Sequence, residues 1–318
     1  MKRHWSILGS GVSALCVAKT LHAHGECIEL IESPTHPAAS YYAGGMLAPY
    51  CEAEAAPHLA VEQAVATLAW WQQHSQHVMQ KGTLVIAPPR DRLELQRFAK
   101  RTQQHQWVQA GELETDLTHV AEGLFFPSEA HLNPRQVLDE LKTTLKNDGV
   151  PVHSKKPTGK IIDCRGIFAQ DQLPTLRAVR GEMLILQQSE INIQRPIRLL
   201  HRRFPCYLVP RGDGVFMLGA TMIESANTAT ISVRSTMELL SAVYSIHPAF
   251  AEATIVETGL GLRPAYSNNI PKLHYEHERF YINGMHRHGF LYGPILAQHM
   301  MDIIQGKTHE SVYEWQKN

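Results

Sequence analysis

A glycine-containing stretch near the beginning of the chain, residues 6–14 with the sequence SILGSGVSA, constrains the fold more than any other feature. It overlaps a short apolar run, residues 5–8, which predicts a buried strand. Gly9 permits a sharp turn out of this strand, and Gly11, which has no Cβ atom, lets a backbone approach a pyrophosphate closely. Ala14 replaces a third glycine and is small enough for close helix–strand packing. The stretch therefore predicts a strand, a tight turn and the start of a helix.

The following residues complete a β–α–β unit. Apolar spacing predicts a helix to about His24, ended by Gly25, and residues 27–31 predict a second strand. Glu32 closes that strand about 20 residues after the glycines, where a carboxylate accepts hydrogen bonds from an adenosine ribose. The helix N-terminus offers unpaired N–H groups and a positive dipole to phosphates. We interpret the unit as dinucleotide-binding; a tight turn that binds nothing is the alternative.

Composition narrows the class of protein. The first apolar run follows Lys2 and Arg3, as in a signal peptide, but glycines and Glu26 interrupt it. The 318 residues suffice for two domains, and Lys+Arg and Asp+Glu balance at 30 each. This balance gives no electrostatic reason to expect nucleic acid or an acidic membrane as a partner. No apolar run reaches the roughly 18 residues of a membrane span, so we expect no membrane association.

Cysteine and histidine usage suggests neither disulfides nor a metal. The five cysteines are scattered, odd in number and without a C-x-x-C motif, which favours a reducing, cytoplasmic compartment. Two histidine pairs, His22 with His24 and His286 with His288, lack a Cys or carboxylate at ligand spacing. We therefore expect no metal site.

The rest of the chain alternates helices with a β-rich centre. Residues 40–49, SYYAGGMLAP, favour a backbone that passes a flat apolar group, although a plain glycine turn has the same pattern. RGDG at 211–214 predicts a hairpin. A second glycine-bounded turn at 284–289 precedes a closing helix over 290–304. Further expected elements are a helix over 62–80, a helix over 134–148 with Asn133 as N-cap, strands 182–187 and 255–258, and a turn at 261–265.

This order predicts a discontinuous layout. The first strands, the last strand and the last helix should form one α/β layer, and the middle an antiparallel sheet, with a site between them. The boundaries we expect are 1–80, 128–180 and 256–318 for a cofactor-binding domain, and 81–127 and 181–255 for a substrate domain.

Six stretches spread over nearly the whole chain resemble the D-amino-acid-oxidase superfamily of flavoproteins, and within it the glycine oxidases of bacterial thiamine (thiazole) biosynthesis. They are GSGVSA (9–14), AGGMLAP (43–49), RGEMLIL (180–186), YLVPRGDGVFMLGATMIES (207–225), GLRPA (261–265) and NGMHRHGF (283–290). The resemblance implies an α/β fold: a two-domain flavoprotein with a Rossmann-like FAD-binding domain and an antiparallel-sheet substrate domain.

The resemblance also implies non-covalent FAD. Pyrophosphate and adenosine would lie over the first glycine turn with Glu32 on the ribose, and residues 40–46 and 284–290 would approach the isoalloxazine. The residues expected to bind the cofactor are Gly9, Gly11, Val12, Ser13, Ala14, Glu32, Ser33, Ser40, Gly44, Gly45, Met46, Val152, Cys164, Gly166, Arg263, His286, Arg287, His288, Gly289 and Phe290.

One departure from the family pattern stands out. Family members usually carry a longer β excursion between the strands expected at 150–153 and 161–164, and here that insert is nearly absent. The residues near the adenine, Val152 and Cys164, are affected by this shortening.

A flavin oxidase of small amino acids needs a cation for the carboxylate, a polar group to orient it and an open path from Cα to the flavin. The planar guanidinium of Arg263 suits bidentate carboxylate binding, and the family match places the substrate arginine there. The Tyr207 hydroxyl would reach the same carboxylate, and Met222 would wall the Cα pocket. Arg287 matches a second active-site arginine. A general-base role for the histidines beside Arg287 is not required, because the lone pair of a neutral amine can expel hydride.

The resemblance implies oxidative deamination of glycine or sarcosine to the imine and glyoxylate, with O₂ reduced to H₂O₂ and the imine passed to thiazole synthase. The alternatives are a D-amino-acid or sarcosine dehydrogenase of the same superfamily and a flavin-binding scaffold without turnover. Homo-oligomerisation is left open.

Overall fold

The computed structural model describes residues 3–32, 37–56, 61–307 and 315–317. Eight helices are described: α1 (Val12–Ala23), α2 (Pro49–Glu52), α3 (Val61–His74), α4 (Arg92–Arg101), α5 (Ala110–Leu113), α6 (Pro134–Asn147), α7 (Val233–Ile246) and α8 (Gly289–Ile304). The described strands are β1 (His4–Leu8), β2 (Cys27–Ile31), β3 (Met46–Leu47), β4 (Val78–Met79), β5 (Thr83–Ile86), β6 (Gln106–Val108), β7 (Gly123–Phe126), β8 (Ala130–Leu132), β9 (Val152–His153), β10 (Lys160–Asp163), β11 (Arg177–Gln187), β12 (Ile197–Leu199), β13 (Cys206–Gly212), β14 (Val215–Gly219), β15 (Ile223–Glu224), β16 (Thr254–Ala265), β17 (Lys272–Glu276), β18 (Arg279–Asn283) and β19 (Trp315–Lys317).

The first sheet is a mostly parallel, Rossmann-like layer. Its strand order is β19-β17-β18-β10-β1-β2-β9, and the β17–β18 pair is antiparallel. Parallel strands need crossover helices, and α1 and α8 pack together beside β1. Ile7, Leu15 and Leu296 are among the fully buried side chains of this layer. The carboxyl ends of β1 and β2 thereby meet the N-termini of α1 and α8.

The second sheet is antiparallel apart from the β5–β12 pair. Its order is β15-β11-β14-β13-β12-β5-β7-β6, and β16 pairs with β11. Helix α7 packs against it through side chains such as Leu239 and Val243, because its apolar residues repeat along one face. Strands β3, β8 and β4 form a separate small sheet, in the order β3-β8-β4, that is not paired with either of the other two. The expected fold class, a Rossmann-like layer with an antiparallel-sheet domain, is confirmed.

Several local predictions are confirmed. Helix α6 begins at Pro134, and the Asn133 side chain accepts a hydrogen bond from the Arg135 amide at 3.2 Å. β13 and β14 form the expected hairpin, and α8 follows the turn at 284–289.

Two predicted elements are wrong in extent. The helix expected over 62–80 ends at His74, because Val78 and Met79 instead pair with β8. The turn expected at 261–265 is the end of β16, which runs unbroken from Thr254 to Ala265 against β11. Strand β11 correspondingly begins at Arg177, so hydrogen bonds to it keep the GLRPA segment extended. Residues 256–265 were expected in the cofactor-binding domain. They instead lie on a strand that pairs with the antiparallel sheet.

The missing β excursion is replaced by a short connection between β9 and β10 that is fastened to a buried carboxylate. Glu29 accepts hydrogen bonds from Ser6 Oγ at 2.5 Å, the Thr158 amide at 2.7 Å and His153 Nε2 at 3.0 Å. Burial opposes ionisation of Glu29, but these donors outweigh it and lower its pKa to about 2. The carboxylate therefore holds the shortened connection against β1 and β2.

We expect Glu29→Gln to destabilise the fold by about 2 kcal/mol at pH 7, because the amide group turns one acceptor into a donor facing buried donors. The folded-state pKa of Glu29 lies below its unfolded value, so its contribution is present above about pH 4.5 and is lost as pH falls toward about 2. Urea unfolding at pH 7 and pH 3 should show the difference between wild type and variant shrinking at low pH. The control is Glu62→Gln, which makes the same change at an exposed position.

Candidate active site

The first glycine turn joins β1 to α1 in a conformation that depends on glycine. Gly9 has φ +116°, and a Cβ atom there would lie 2.6 Å from the carbonyl oxygen of Cys164. Gly11, the N-cap residue of α1, has no side chain to accept a hydrogen bond from the helix. The Val12 amide donates a hydrogen bond to Ser40 Oγ at 3.2 Å. The turn therefore leaves a side-chain-free cradle at a positive helix end.

A cavity of about 390 Å³ opens over this cradle. It is lined by most of the residues expected to bind a cofactor, which come from both glycine turns, the residues after β2 and after β10, the loop before β3 and the end of β16. They are Gly9, Gly11, Val12, Ser13, Glu32, Ser40, Cys164, Gly166, Arg263, His286, Arg287, Gly289 and Phe290. Glu32 at the end of β2 is ion-paired with Lys142 of α6 at 2.5 Å.

The other expected cofactor residues lie elsewhere. Ala14 is fully buried beneath the first turn of α1. Gly44, Gly45, Met46 and His288 line the adjoining cavity instead. Val152 lines neither cavity and is paired with Leu30 in the sheet. Ser33 lies outside the described residues.

The adjoining cavity is the larger, about 550 Å³, and opens beside the antiparallel sheet. It shares Tyr42, Ala43, Arg263, Arg287 and Phe290 with the first cavity, so these residues border both. Tyr207 and Met222, both expected to contact substrate, also line it. Met222 is 55% exposed and therefore walls the mouth of the cavity, not its floor.

Arg263 lies at the junction of the cavities. Its partly buried guanidinium crosses β11 where Gly181 has no side chain, and a Cβ atom at Gly181 would lie 2.3 Å from Arg263 Nη2. Nη1 donates to the Thr221 carbonyl oxygen at 3.0 Å. Burial and the neighbouring Arg287 lower the pKa of Arg263 to about 10, which leaves it a cation at pH 7. Within the described ranges, no salt bridge joins Arg263 to a carboxylate.

Arg287 differs, because it is paired with Glu52, a buried carboxylate that the sequence analysis did not select. Glu52 Oε2 lies 3.2 Å from Arg287 Nη2 and 2.9 Å from His288 Nε2. Its Oε1 accepts a hydrogen bond from the Tyr207 hydroxyl and lies 3.7 Å from Arg198 Nη1. The partners of Glu52 are more than 140 positions away along the chain, so no local pattern identifies it. The only local hint is that it lies in a short helix that begins at Pro49.

This network changes what the expected site residues can do. The Tyr207 hydroxyl donates to Glu52, so a contact with a substrate carboxylate requires its rotation. Arg287 Nη1 points to Met222 Sδ at 3.8 Å. Burial and the charges of Arg263, His288 and Arg287 lower the pKa of His286 to about 3. Such a histidine is neutral at pH 7 and a weak base, which favours a reaction without a general base.

A second residue that sequence reasoning missed, Arg211, holds the loop before β3 in place. Its guanidinium donates to the carbonyl oxygens of Leu132 at 2.8 Å, Gly44 at 3.0 Å and Ala43 at 3.2 Å. The RGDG stretch indicated only a hairpin. Arg211 instead fixes the glycine loop where it borders the larger cavity.

Across the described part of the chain, none of the helices has the length and apolarity that crossing a bilayer requires. Among the same residues, no three His, Cys, Asp or Glu side chains are grouped as a metal site would need.

The comparisons with known proteins agree with this architecture. Residues 4–303 match the family model of the FAD-dependent oxidoreductases of the DAO type. The chain belongs to this family and is an FAD-dependent oxidoreductase.

Three similar proteins illustrate the match. A Rhizobium etli protein described as the thiamine biosynthesis oxidoreductase ThiO is 45% identical over 307 residues, covering 91% of this chain and 92% of that protein. The bifunctional protein ThiO/ThiG of Trichormus variabilis is 23% identical, covering 96% of this chain and 53% of its own length. The crystal structure of glycine oxidase from Geobacillus kaustophilus has a TM-score of 0.79 at 18% identity, covering 97% of this chain and 96% of that chain. At that identity it shows the fold.

The residues present fit FAD. The cradle at Gly9 and Gly11 admits a pyrophosphate beside the N-terminus of α1, and Glu32 stands at the end of β2 where a ribose would lie. Tyr42 and Arg263 border both cavities, so an elongated dinucleotide in the first would contact side chains that also line the larger one.

We expect Gly11→Val to abolish FAD retention while the protein still folds. A Cβ atom added at Gly11 would lie 3.2 Å from Ala38 Cβ and 3.3 Å from Ser40 Oγ, so a branched side chain would fill the cradle. The flavin absorbance per polypeptide after gel filtration measures this. Ala23→Val, at the exposed end of the same helix, is the matched control. Full FAD content in Gly11→Val would contradict this use of the cradle.

Proposed function

We propose that this protein oxidises glycine and similar small amines such as sarcosine. The amine is converted to its imine, which water hydrolyses to glyoxylate with release of ammonia from glycine or methylamine from sarcosine, and O₂ is reduced to H₂O₂. Bound FAD supplies the hydride acceptor and returns the electrons to O₂. The chain's own part is to bind the carboxylate, orient Cα and shape the pocket.

The observation that carries this proposal is Arg263. It is a partly buried cation at the junction of the cofactor and substrate cavities, and a main-chain carbonyl is its hydrogen-bond partner. A buried guanidinium is stabilised by an anion, and a carboxylate matches its planar geometry. A carboxylate held there places the neighbouring Cα beside the cofactor cavity.

The surroundings suit a small substrate and need no base. Glu52 pairs with Arg287, so the two arginines are not equivalent, and Arg263 is the one left for an anion. His286 is neutral at pH 7, consistent with an amine that arrives unprotonated or loses its proton to solvent before hydride leaves. Met222 and Tyr207 narrow the space beside the guanidinium.

The similar proteins support a place in thiamine biosynthesis. The Rhizobium etli relative carries that description over nearly its full length, and the bifunctional ThiO/ThiG protein joins a similar chain to a second polypeptide segment. Both support delivery of the imine to thiazole synthase, because an unstable imine is best consumed close to where it forms.

The test is the spectrum of the bound flavin. Under anaerobic conditions glycine should bleach it, and air should restore the absorbance with H₂O₂ formed in equal amount. Bleaching without recovery in air would indicate a dehydrogenase that needs another acceptor. If no small amino acid bleaches the flavin, the oxidation itself is wrong for this protein.

Arg263→Lys should keep the charge but lose the paired geometry. A charge-assisted hydrogen bond is worth about 1.5–3 kcal/mol, so the glycine concentration for half-maximal flavin reduction should rise roughly 10- to 150-fold. Misplacing Cα should slow the reduction as well. FAD content and melting temperature should stay near wild type.

The matched control is Arg202→Lys, which changes an arginine at the exposed rim of the same cavity, paired with Asp91 and Glu94. Its kinetics should be close to wild type. Unchanged glycine dependence in Arg263→Lys would remove Arg263 from substrate binding.

A further inference from the structure

Glu52 is the meeting point of side chains from both parts of the molecule. Tyr207 lies on β13 and Arg198 on β12, in the antiparallel sheet, whereas Arg287 and His288 belong to the turn that leads into α8. All four approach the carboxylate of Glu52, which is only 4% exposed. A carboxylate so enclosed has its lone pairs occupied by the protein.

Glu52 carries the negative charge at this meeting point. Burial alone would raise the pKa of Glu52, but Arg287, the His288 hydrogen bond and Arg198 hold it well below its usual range. Another buried acid nearby is Glu129, which accepts the Cys51 amide at 2.7 Å. Burial raises the pKa of Glu129 to about 8, so it is mostly neutral at pH 7.

The larger cavity is lined by two sets of charged side chains. Arg97, Arg101, Arg202, Glu54 and Glu94 form ion pairs with one another toward its exposed rim, and the more buried groups are Arg198, Arg263, Arg287 and Glu52. Glu52 pairs with Arg287, and Arg198 lies between Glu52 at 3.7 Å and Glu54 at 3.5 Å. Without Glu52, Arg287 would also be free to attract a small carboxylate; with it, the attraction concentrates at Arg263.

We propose that Glu52 is a positioning residue that gives this site its preference for carboxylates bearing an amine over carboxylates without one. The inference rests on the proposed function, since it assumes that Arg263 receives a carboxylate. Glu52 acts through its partners: it pairs with Arg287, accepts the hydrogen bond of the Tyr207 hydroxyl, and balances the positive charge that a substrate ammonium would otherwise meet.

Replacing Glu52 with Gln removes the charge and keeps the shape. We expect acetate, which is glycine without its amine, to bind roughly tenfold more tightly, because one unit charge acts within a poorly solvated cavity. The glycine concentration required should change much less, because the ammonium of glycine loses the attraction that its carboxylate gains. Acetate binding is measured by the perturbation of flavin absorbance in the holoenzyme, and glycine by anaerobic flavin reduction. A variant that is merely distorted would weaken both ligands.

The matched control is Glu54→Gln. Glu54 pairs with Arg101 at 3.1 Å and with the outer face of Arg198 at 3.5 Å and is not hydrogen-bonded to Tyr207 or His288. Each affinity should change less than about twofold, since partly exposed pairs contribute little. Glu52→Asp keeps the charge and should keep the preference for glycine.

A second variant covers the case in which Glu52→Gln does not fold. Arg198→Gln removes one cation and leaves Glu52 ionised, so acetate should bind more weakly and glycine should not. Acetate affinity that is unchanged or higher in Arg198→Gln would overturn the inference, as would equal and parallel shifts of both ligands in Glu52→Gln.

The two proposals fail in different ways. If glycine does not reduce the wild-type flavin but acetate binds more tightly to Glu52→Gln, the assigned substrate is wrong and the charge role of Glu52 holds. If glycine reduces the wild type and Glu52→Gln leaves the acetate-to-glycine preference unchanged, the oxidase proposal stands and the role of Glu52 is wrong.

Discussion

The pairing of β16 with β11 is the constraint on which the rest of the site depends. The ladder runs antiparallel from Arg177 opposite Ala265 to Gln187 opposite Thr254, and it places Gly181 opposite Gly261. Side chains are missing from both strands at that point, so the Arg263 guanidinium can lie across β11. A shift of one residue would turn Arg263 to the other face of the sheet. The register therefore decides where the cofactor cavity ends and the substrate cavity begins.

Two buried carboxylates serve different purposes in the two parts of the molecule. Glu29 is satisfied by hydroxyl, amide and imidazole donors, and it fastens a connection far from the substrate cavity. Glu52 is satisfied mainly by cations, and it lies inside that cavity. Burying a carboxylate costs free energy unless donors or cations satisfy both of its oxygens. The fold must therefore position the partners of Glu29 and of Glu52 accurately. Of the two, only Glu52 is surrounded by charged side chains that line the cavity in which a ligand would bind.

The sequence predicted parts of the local structure well, because they depend on short-range chemistry. Gly9 had to be a glycine for the turn, since its φ is +116°, and Asn133 was recognisable as an N-cap from its neighbours alone. Arg263 was expected in a turn because Pro264 follows it, yet hydrogen bonds to a strand some eighty residues earlier keep it extended. Glu52 and Arg211 were missed for the same reason: their partners are brought near only by the packing of the two sheets, which no local pattern encodes.

The shortened connection between β9 and β10 bears on the adenosine end of the cofactor. Val152 is occupied in the sheet beside Leu30 and does not line the cavity, whereas Cys164 and Gly166 do. The wall at that end is then formed by the residues after β10 and by Glu32, which Lys142 ties to α6. A carboxylate fixed by an ion pair loses less entropy when it accepts a ribose hydroxyl than one on a free loop. The loss of the excursion therefore need not cost FAD affinity, because the remaining contacts are held in place by strands and a helix.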